Sequence, residues 1–244
     1  MSCKFDENKT IERNYSIVRL ISRGGFGTVY EAVNLRNSRR CAIKVLDEAG
    51  HKGVCPEFFL NEGRILKSIA NHRHVVRLYG ERVFGSTRVL EMELLESSLH
   101  EVVRERVQRN EGLSEANARQ IVRNLLTGLQ YLHASDLIHR DLKPENLGFV
   151  DASDFDTLKI FDFGLSARLT VQDNRMVHSA VGTVAYMAPE MFAMSEYNGV
   201  SSPVRGHVEC RHDRLRAAQQ LQTALPSGIP VAVAIHRTSE ARAD

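Results

Sequence analysis

The chain carries little that would tie it to a membrane, to nucleic acid or to an oxidising compartment. It has no run of about 18 apolar residues, so no membrane-spanning helix is expected. The N-terminus, MSCKFDENKTIERNYS, is polar and lacks the apolar core of a secretory leader. The net charge of +2 is too small to argue for a nucleic-acid or membrane-surface partner. The four cysteines, Cys3, Cys41, Cys55 and Cys210, show neither CxxC nor metal-ligand spacing. That suits a reducing compartment, and a cytoplasmic or nuclear location is expected. His72, His74 and His133 lack a convergent ligand set and are expected to pack or face solvent rather than bind metal. There is no internal repeat and no low-complexity tract. What remains is an ordinary globular composition, 43% hydrophobic and 25% charged, on a chain long enough for one large domain or two lobes.

Residues 15–49 read as three strands joined by turns. YSIVRLI is apolar and β-branched, and Ser22-Arg23-Gly24-Gly25-Phe26-Gly27 supplies turn residues. TVYEAVNL resumes as strand, NSR turns, and RCAIKVLD follows. Glycines at a hairpin tip let the backbone approach a phosphate, although a plain hairpin turn has the same signature. Lys44 lies in a mostly apolar strand, where an ammonium needs a partner. The segment 56–70, PEFFLNEGRILKSIA, carries Phe58, Phe59, Glu62, Ile65, Leu66 and Ile69 at helical spacing. Glu62 borders that apolar face and is placed to reach Lys44. Gly63 costs the helix about 1 kcal/mol relative to alanine, for no reason visible in the sequence. HVVRLYG (74–80) and RVLEMELL (88–95) complete a small antiparallel sheet of five strands.

Ser114 is placed to cap a long helix, SEANARQIVRNLLTGLQYLHAS, whose buried stripe is Ile121, Leu125, Leu129 and Leu132. LGFV (147–150) and LKIF (158–161) form a hairpin across DASDFD, read as a solvated turn because it lacks the glycine and terminal glutamate of a calcium loop. Between helix and hairpin stands His139-Arg140-Asp141-Leu142-Lys143-Pro144-Glu145-Asn146. A carboxylate there can accept the proton of an incoming hydroxyl. A nearby ammonium can offset charge on a transferred group, and a side-chain oxygen is the hard ligand that Mg²⁺ favours. Pro144 is expected to block a helix and hold the stretch as a loop.

This octet is followed by Asp162-Phe163-Gly164 and by Gly182-Thr183-Val184-Ala185-Tyr186-Met187-Ala188-Pro189-Glu190. In order and spacing the chain resembles eukaryotic protein kinases of the serine/threonine type over residues 15–198. The resemblance implies an α+β, two-lobed fold, with a small antiparallel lobe plus helix over 15–95 and part of a mostly helical large lobe over 96–198. It implies ATP and Mg²⁺ as cofactors and transfer of the γ-phosphoryl to Ser or Thr hydroxyls of a protein substrate. Asp141 would orient and deprotonate the hydroxyl while Lys143 offsets charge, and Asn146 and Asp162 would hold the metal. Lys44, supported by Glu62, would hold the α- and β-phosphates. Ile21, Ser22, Arg23, Gly24, Gly25, Phe26, Gly27 and Val29 would form the Gly-rich loop and its flanks. Ala42, Met92, Glu93 and Leu95 would surround the adenine, although Met92 also reads as core packing. Arg140 implies a switch by phosphorylation of the activation segment, at Ser179 with Thr170 as runner-up, by an upstream activating kinase. Two positions depart from the pattern. Ser22 replaces the first loop glycine and is expected to stiffen or shift the loop. Gly148 stands where most members have a leucine under the adenine, a loss that Phe149 or a neighbour would have to offset.

After residue 198 the resemblance stops. Residues 199–244 lack Lys, Phe, Trp and Tyr and are rich in Arg, Ala, Ser, Pro and Val. A helix in ECRHDRLRAAQQLQTAL and a strand in GIPVAVAI are readable there, but the buried aspartate expected near Pro203 is not. The shift reads as a reading-frame change, a retained intron or a faulty gene model, with a divergent regulatory tail as the alternative. The large lobe is therefore expected to be truncated and the chain a poor kinase. The rival readings are a nucleotide-binding pseudokinase and an inactive fragment.

Overall fold

The computed structural model describes residues 11–24, 27–47, 56–168 and 182–183. They divide into two compact units, a smaller one within residues 1–71 and 76–95, and a larger one of 72–75 and 96 onward.

The described residues of the smaller unit include a five-stranded antiparallel sheet and a helix packed on it. The strands are β1 (Tyr15–Gly24), β2 (Gly27–Asn34), β3 (Arg39–Asp47), β4 (Leu78–Phe84) and β5 (Thr87–Met92), in the order β1-β2-β3-β5-β4. Alternation along β3 sorts its side chains. Cys41 and Ile43 join Ile11, Tyr15, Ala32 and Val89 in one core cluster. Ala42, Lys44 and Leu46 point to the other face, which helix α1 (Pro56–Ser68) covers with Phe59, Glu62, Ile65 and Leu66. A Cβ on Gly63 would stand 3.0 Å from Leu90 Cδ2 and 3.5 Å from Glu81 Oε2. That close approach of helix to sheet is the reason for a glycine in mid-helix.

In the larger unit, β6 (Ser97–Ser98) leads into α2 (Leu99–Gln108), followed by α3 (Glu115–Ala134) and β7 (Leu137–Ile138). Then come β8 (Leu147–Phe149), β9 (Leu158–Ile160) and β10 (Ala167–Arg168). The strands form two small sheets, β6-β8-β9 and β10-β7. Ser114 caps α3 as expected, its hydroxyl accepting from the Asn117 N–H at 3.2 Å. The buried face of α3 includes Gly128, where a Cβ would meet Ile160 Cδ1 at 2.8 Å and the His74 carbonyl oxygen at 3.1 Å.

Four expectations need correction. The strand expected over 74–80 runs instead over Leu78–Phe84. His74 and Val75 belong to the larger unit: Val75 bridges Ile160, and the buried His74 donates from Nδ1 to the Leu158 carbonyl at 2.9 Å. Helix α2 was not anticipated, although its capping box is written in Ser98 and Glu101. Pro144 does not prevent helical structure: it occupies the first turn of a short 3-10 helix, Pro144–Asn146, where a missing N–H costs nothing. Finally, the acidic turn is not wholly solvated, since Phe155 is buried and Asp156 accepts from the Asn124 amide at 3.1 Å.

Candidate active site

The smaller unit contributes a buried ion pair. Lys44 Nζ lies 2.5 Å from Glu62 Oε2, with side chains 7% and 2% exposed. The pair sits on the face of β3 that α1 covers, as the spacing of Glu62 predicts. Val29 is the β2 partner of Lys44, and Ala42 pairs with Met92. Ala42 and Met92 are both buried, so Met92 is a core residue whatever else it does. The Glu93 N–H donates to the Arg77 carbonyl at 2.9 Å, and Leu95 is half-buried.

The strands run further into the glycine cluster than the sequence indicates. Ser22, Arg23 and Gly24 pair with Val29, Thr28 and Gly27, and Gly25 and Phe26 lie outside the described residues. Gly27 has φ +120°, and a Cβ there would lie 2.7 Å from the Val45 carbonyl oxygen, so glycine is required. Gly24 meets no such obstacle. Ser22 needs no left-handed backbone, and β1 shifts register against β2 twice, between Ile17 and Arg19 and between Leu20 and Ser22. Ile21 is 40% exposed.

The larger unit gathers the octet around Asp141, itself only 6% exposed. Lys143 Nζ donates to its Oδ2 at 2.8 Å, and Asn146 Nδ2 donates to the same oxygen at 3.0 Å and to the Asp141 carbonyl at 2.8 Å. Oδ1 accepts from the Thr183 N–H at 3.0 Å and hydroxyl at 2.7 Å. Lys143 Nζ also donates to the Thr183 hydroxyl at 2.8 Å. Burial alone would lift the Asp141 carboxyl, but hydrogen bonds from Lys143 and Thr183 outweigh it and hold the group below its ordinary range.

Backbone geometry supports the cluster. Gly182 has φ +127°, and a Cβ on it would stand 2.6 Å from the Arg140 carbonyl oxygen, so only glycine brings Thr183 to Asp141. Arg140 and Asp162 hold φ of +66° and +64°, conformations that cost a non-glycine residue on the order of 1–3 kcal/mol and gather at working sites. His139 Nε2 donates to the Phe161 carbonyl at 2.9 Å and meets the Phe163 ring edge-on at 5.0 Å. The Phe161 N–H donates to the Asn146 carbonyl at 3.0 Å, and β8–β9 pairing sets Leu147 opposite Ile160. Asn146 and Asp162 therefore flank the same end of one hairpin. Arg140 donates from Nε to the Leu165 carbonyl at 2.5 Å, and burial lowers its pKa.

Three residues escaped the sequence reading. Thr183 and Gly182 were visible only as part of a longer segment, with nothing to tie them to Asp141. His139 was part of the octet without a role. One hope fails on geometry: Phe149 cannot fill the space beside Gly148. The two alternate along β8, and Phe149 is fully buried against Phe155. Ser179 and Thr170 lie outside the described residues.

A β-sheet unit with a buried lysine–glutamate pair, together with a helical unit presenting the Asp141 loop, defines the protein kinase class. The protein kinase domain model matches residues 15–204, and the chain belongs to that family. It is 32% identical to serine/threonine-protein kinase 33 of Bos taurus over 203 residues, covering 80% of this chain and 40% of that protein. It is 35% identical to the probable serine/threonine-protein kinase fhkB of Dictyostelium discoideum over 191 residues, 77% of this chain and 16% of that protein. CBL-interacting protein kinase 30 of Oryza sativa subsp. japonica is 32% identical over 206 residues, 84% and 42%. The chain thus spans less than half the length of these relatives.

Proposed function

We propose that the chain is a serine/threonine protein kinase domain, transferring the γ-phosphoryl of Mg-ATP to hydroxyls of a protein substrate. The observation that carries this reading is the Asp141 cluster. Asp141 is kept ionised and fixed, ready to accept a hydroxyl proton, and Thr183 donates to it as an acceptor hydroxyl would. Lys143, within reach of the same point, would offset charge on the transferring group. Lys44, positioned by Glu62, would hold the phosphates.

Magnesium, when bound, neutralises phosphate charge, and Asn146 and Asp162 would hold it. The donors fit. Asn146 spends its Nδ2 on Asp141, which leaves its carboxamide oxygen as an acceptor. Among the described residues no three His, Cys, Asp or Glu side chains cluster. That suits an ion which takes few protein ligands and fills its shell with phosphate oxygens and water. The kinase domain is proposed to span 15–198, followed by a divergent tail over 199–244. Phosphorylation of Ser179 by an upstream kinase would add a charge-assisted bond to Arg140 and order the segment between them.

A second reading, a pseudokinase that binds nucleotide without turnover, is favoured by Gly148, whose missing side chain Phe149 does not replace. Thermal shift with Mg-ATP on wild type, Lys44→Met and Asp162→Asn, run beside phosphate incorporation, separates the two. A wild-type shift larger than the mutants' with weak, Asp141-dependent transfer is the expected result. A shift without transfer selects the pseudokinase, and a wild-type shift no larger than the mutants' overturns both.

A further inference from the structure

Among the arginines of the smaller unit, two are set apart by stacking on one ring. Arg19 and Arg40 close on Glu31 at 2.8 and 2.5 Å, and Arg82 donates to the Tyr15 hydroxyl at 3.0 Å. Arg39 and Arg77 close on no carboxylate among the described residues. Both lie instead on the ring of Tyr79, their guanidinium carbons 4.2 and 5.8 Å from its centroid. The sheet explains the convergence: Arg39 opens β3, Arg77 immediately precedes β4, and Tyr79 is the second residue of β4. Tyr79 is half-buried against the Tyr15–Cys41–Ile43 core, whereas both arginines are exposed. The one carboxylate bonded here, Glu93, accepts from the Arg77 main-chain N–H at 3.2 Å rather than from its guanidinium. Leu35, 52% exposed, stands on the β2–β3 turn that leads to Arg39.

We propose that this face docks an acidic segment of a partner protein, which sets carboxylates on Arg39 and Arg77 and an apolar side chain against Tyr79 or Leu35. A guanidinium fork matches a carboxylate in two parallel hydrogen bonds. Stacking on a fixed ring holds the two forks in place beforehand, so less side-chain freedom is lost on binding. Tyrosine and arginine are the residue types that dominate the energetics of protein interfaces. The described residues named on this face include no lysine, and the chain's net charge is only +2, which favours a protein partner over a membrane or nucleic acid. The inference is independent of phosphoryl transfer.

The test is fluorescence anisotropy of the full chain with a short labelled peptide of glutamates and leucines. A single-stranded oligonucleotide and phosphatidylserine vesicles serve as parallel arms. Saturable, salt-sensitive peptide binding is expected, weakened about tenfold or more in Arg39→Gln/Arg77→Gln, as for loss of charged contacts at an interface. Tyr79→Leu, which keeps apolar volume, should also weaken it by removing the platform. Circular dichroism and thermal midpoints confirm that the variants fold. The proposal is overturned by absence of saturable peptide binding, by equal binding to the double variant, or by oligonucleotide or vesicle binding that is tighter and depends on the same two arginines.

Discussion

Each unit of the chain is organised around a buried charge, and the two are held in different ways. Lys44 meets Glu62 across 18 residues, strand to helix, so the contact exists only while α1 stays seated on the sheet. Asp141 draws on Lys143 and Asn146, its near neighbours in the loop, and, among the described residues, on one distant residue, Thr183. The first arrangement is a tertiary contact that any displacement of a helix would break. The second is a loop closed on itself and locked by one incoming segment. Helix seating is therefore the adjustable element of the smaller unit, whereas arrival of Gly182-Thr183 is that of the larger.

The largest expected effect falls on the reaction. On the proposed reading Asp141→Asn keeps the shape of the side chain but removes the base, so transfer to a generic basic protein should drop by about 10²–10⁴-fold. A rate near wild type would remove Asp141 from that role. Next in size is Glu62→Gln, which leaves Lys44 buried without its carboxylate. Breaking a buried pair costs about 3–5 kcal/mol, read as a fall in the urea midpoint. Lys44→Met/Glu62→Leu should recover much of the loss. The corresponding change in the larger unit, Lys143→Met, should cost less stability, because Lys143 is 20% exposed and Asp141 keeps Thr183 and Asn146. Equal losses in the two units would erase the contrast drawn above.

Titration sharpens the comparison further. Burial lifts the Asp141 carboxyl, and Lys143 and Thr183 more than reverse it, so the folded pKa is depressed. A depressed carboxylate contributes stability above its unfolded pKa and loses it as pH falls through the folded one. Lys143→Ala lets the folded pKa rise toward the unfolded one, so that loss becomes smaller and is complete at a higher pH. The acid limb of kcat/KM should move upward with it. An acid limb at the same pH in both proteins would mean that another group sets it.

Most of the site was legible because its residues act locally. Within the octet, Asp141, Lys143 and Asn146 bond to one another across a few positions, and the Lys44–Glu62 pair follows from a polar residue in each of two apolar patterns. The kinase resemblance then supplied the order of the elements. What escaped depends on distant backbone. Nothing in the residues near Thr183 signals that its N–H and hydroxyl both turn to Asp141. The strand expected over 74–80 failed because His74 and Val75 are apolar enough in context to pack, and the larger unit claims them through Leu158 and Ile160. Gly148 and Phe149 show the same limit: residue types are readable, but the face each takes depends on the strand's partners.

The smallest effects come from the two helical glycines, Gly63 in α1 and Gly128 in α3, which test how firmly each helix is seated. Glycine to alanine gains about 1 kcal/mol of helix propensity at either site, so contacts decide the sign. At Gly128 the added methyl would lie 2.8 Å from Ile160 Cδ1 and 3.1 Å from the His74 carbonyl oxygen, which is backbone pinned by the Ile160 N–H. It has little room to yield, and overpacking of this kind costs about 1–3 kcal/mol, so Gly128→Ala should lower the thermal midpoint. At Gly63 the nearest atom is the end of the Leu90 side chain at 3.0 Å, which can give by a few tenths of an ångström at modest cost. The two terms nearly cancel there, and Gly63→Ala should leave the midpoint almost unchanged. Because α1 would be pushed slightly off the sheet, the change should appear instead at the adjacent Glu62, as weaker Mg-ATP protection in the thermal shift. A large stability loss in Gly63→Ala, or none in Gly128→Ala, would show that α1 is the rigidly seated helix and α3 the adjustable one.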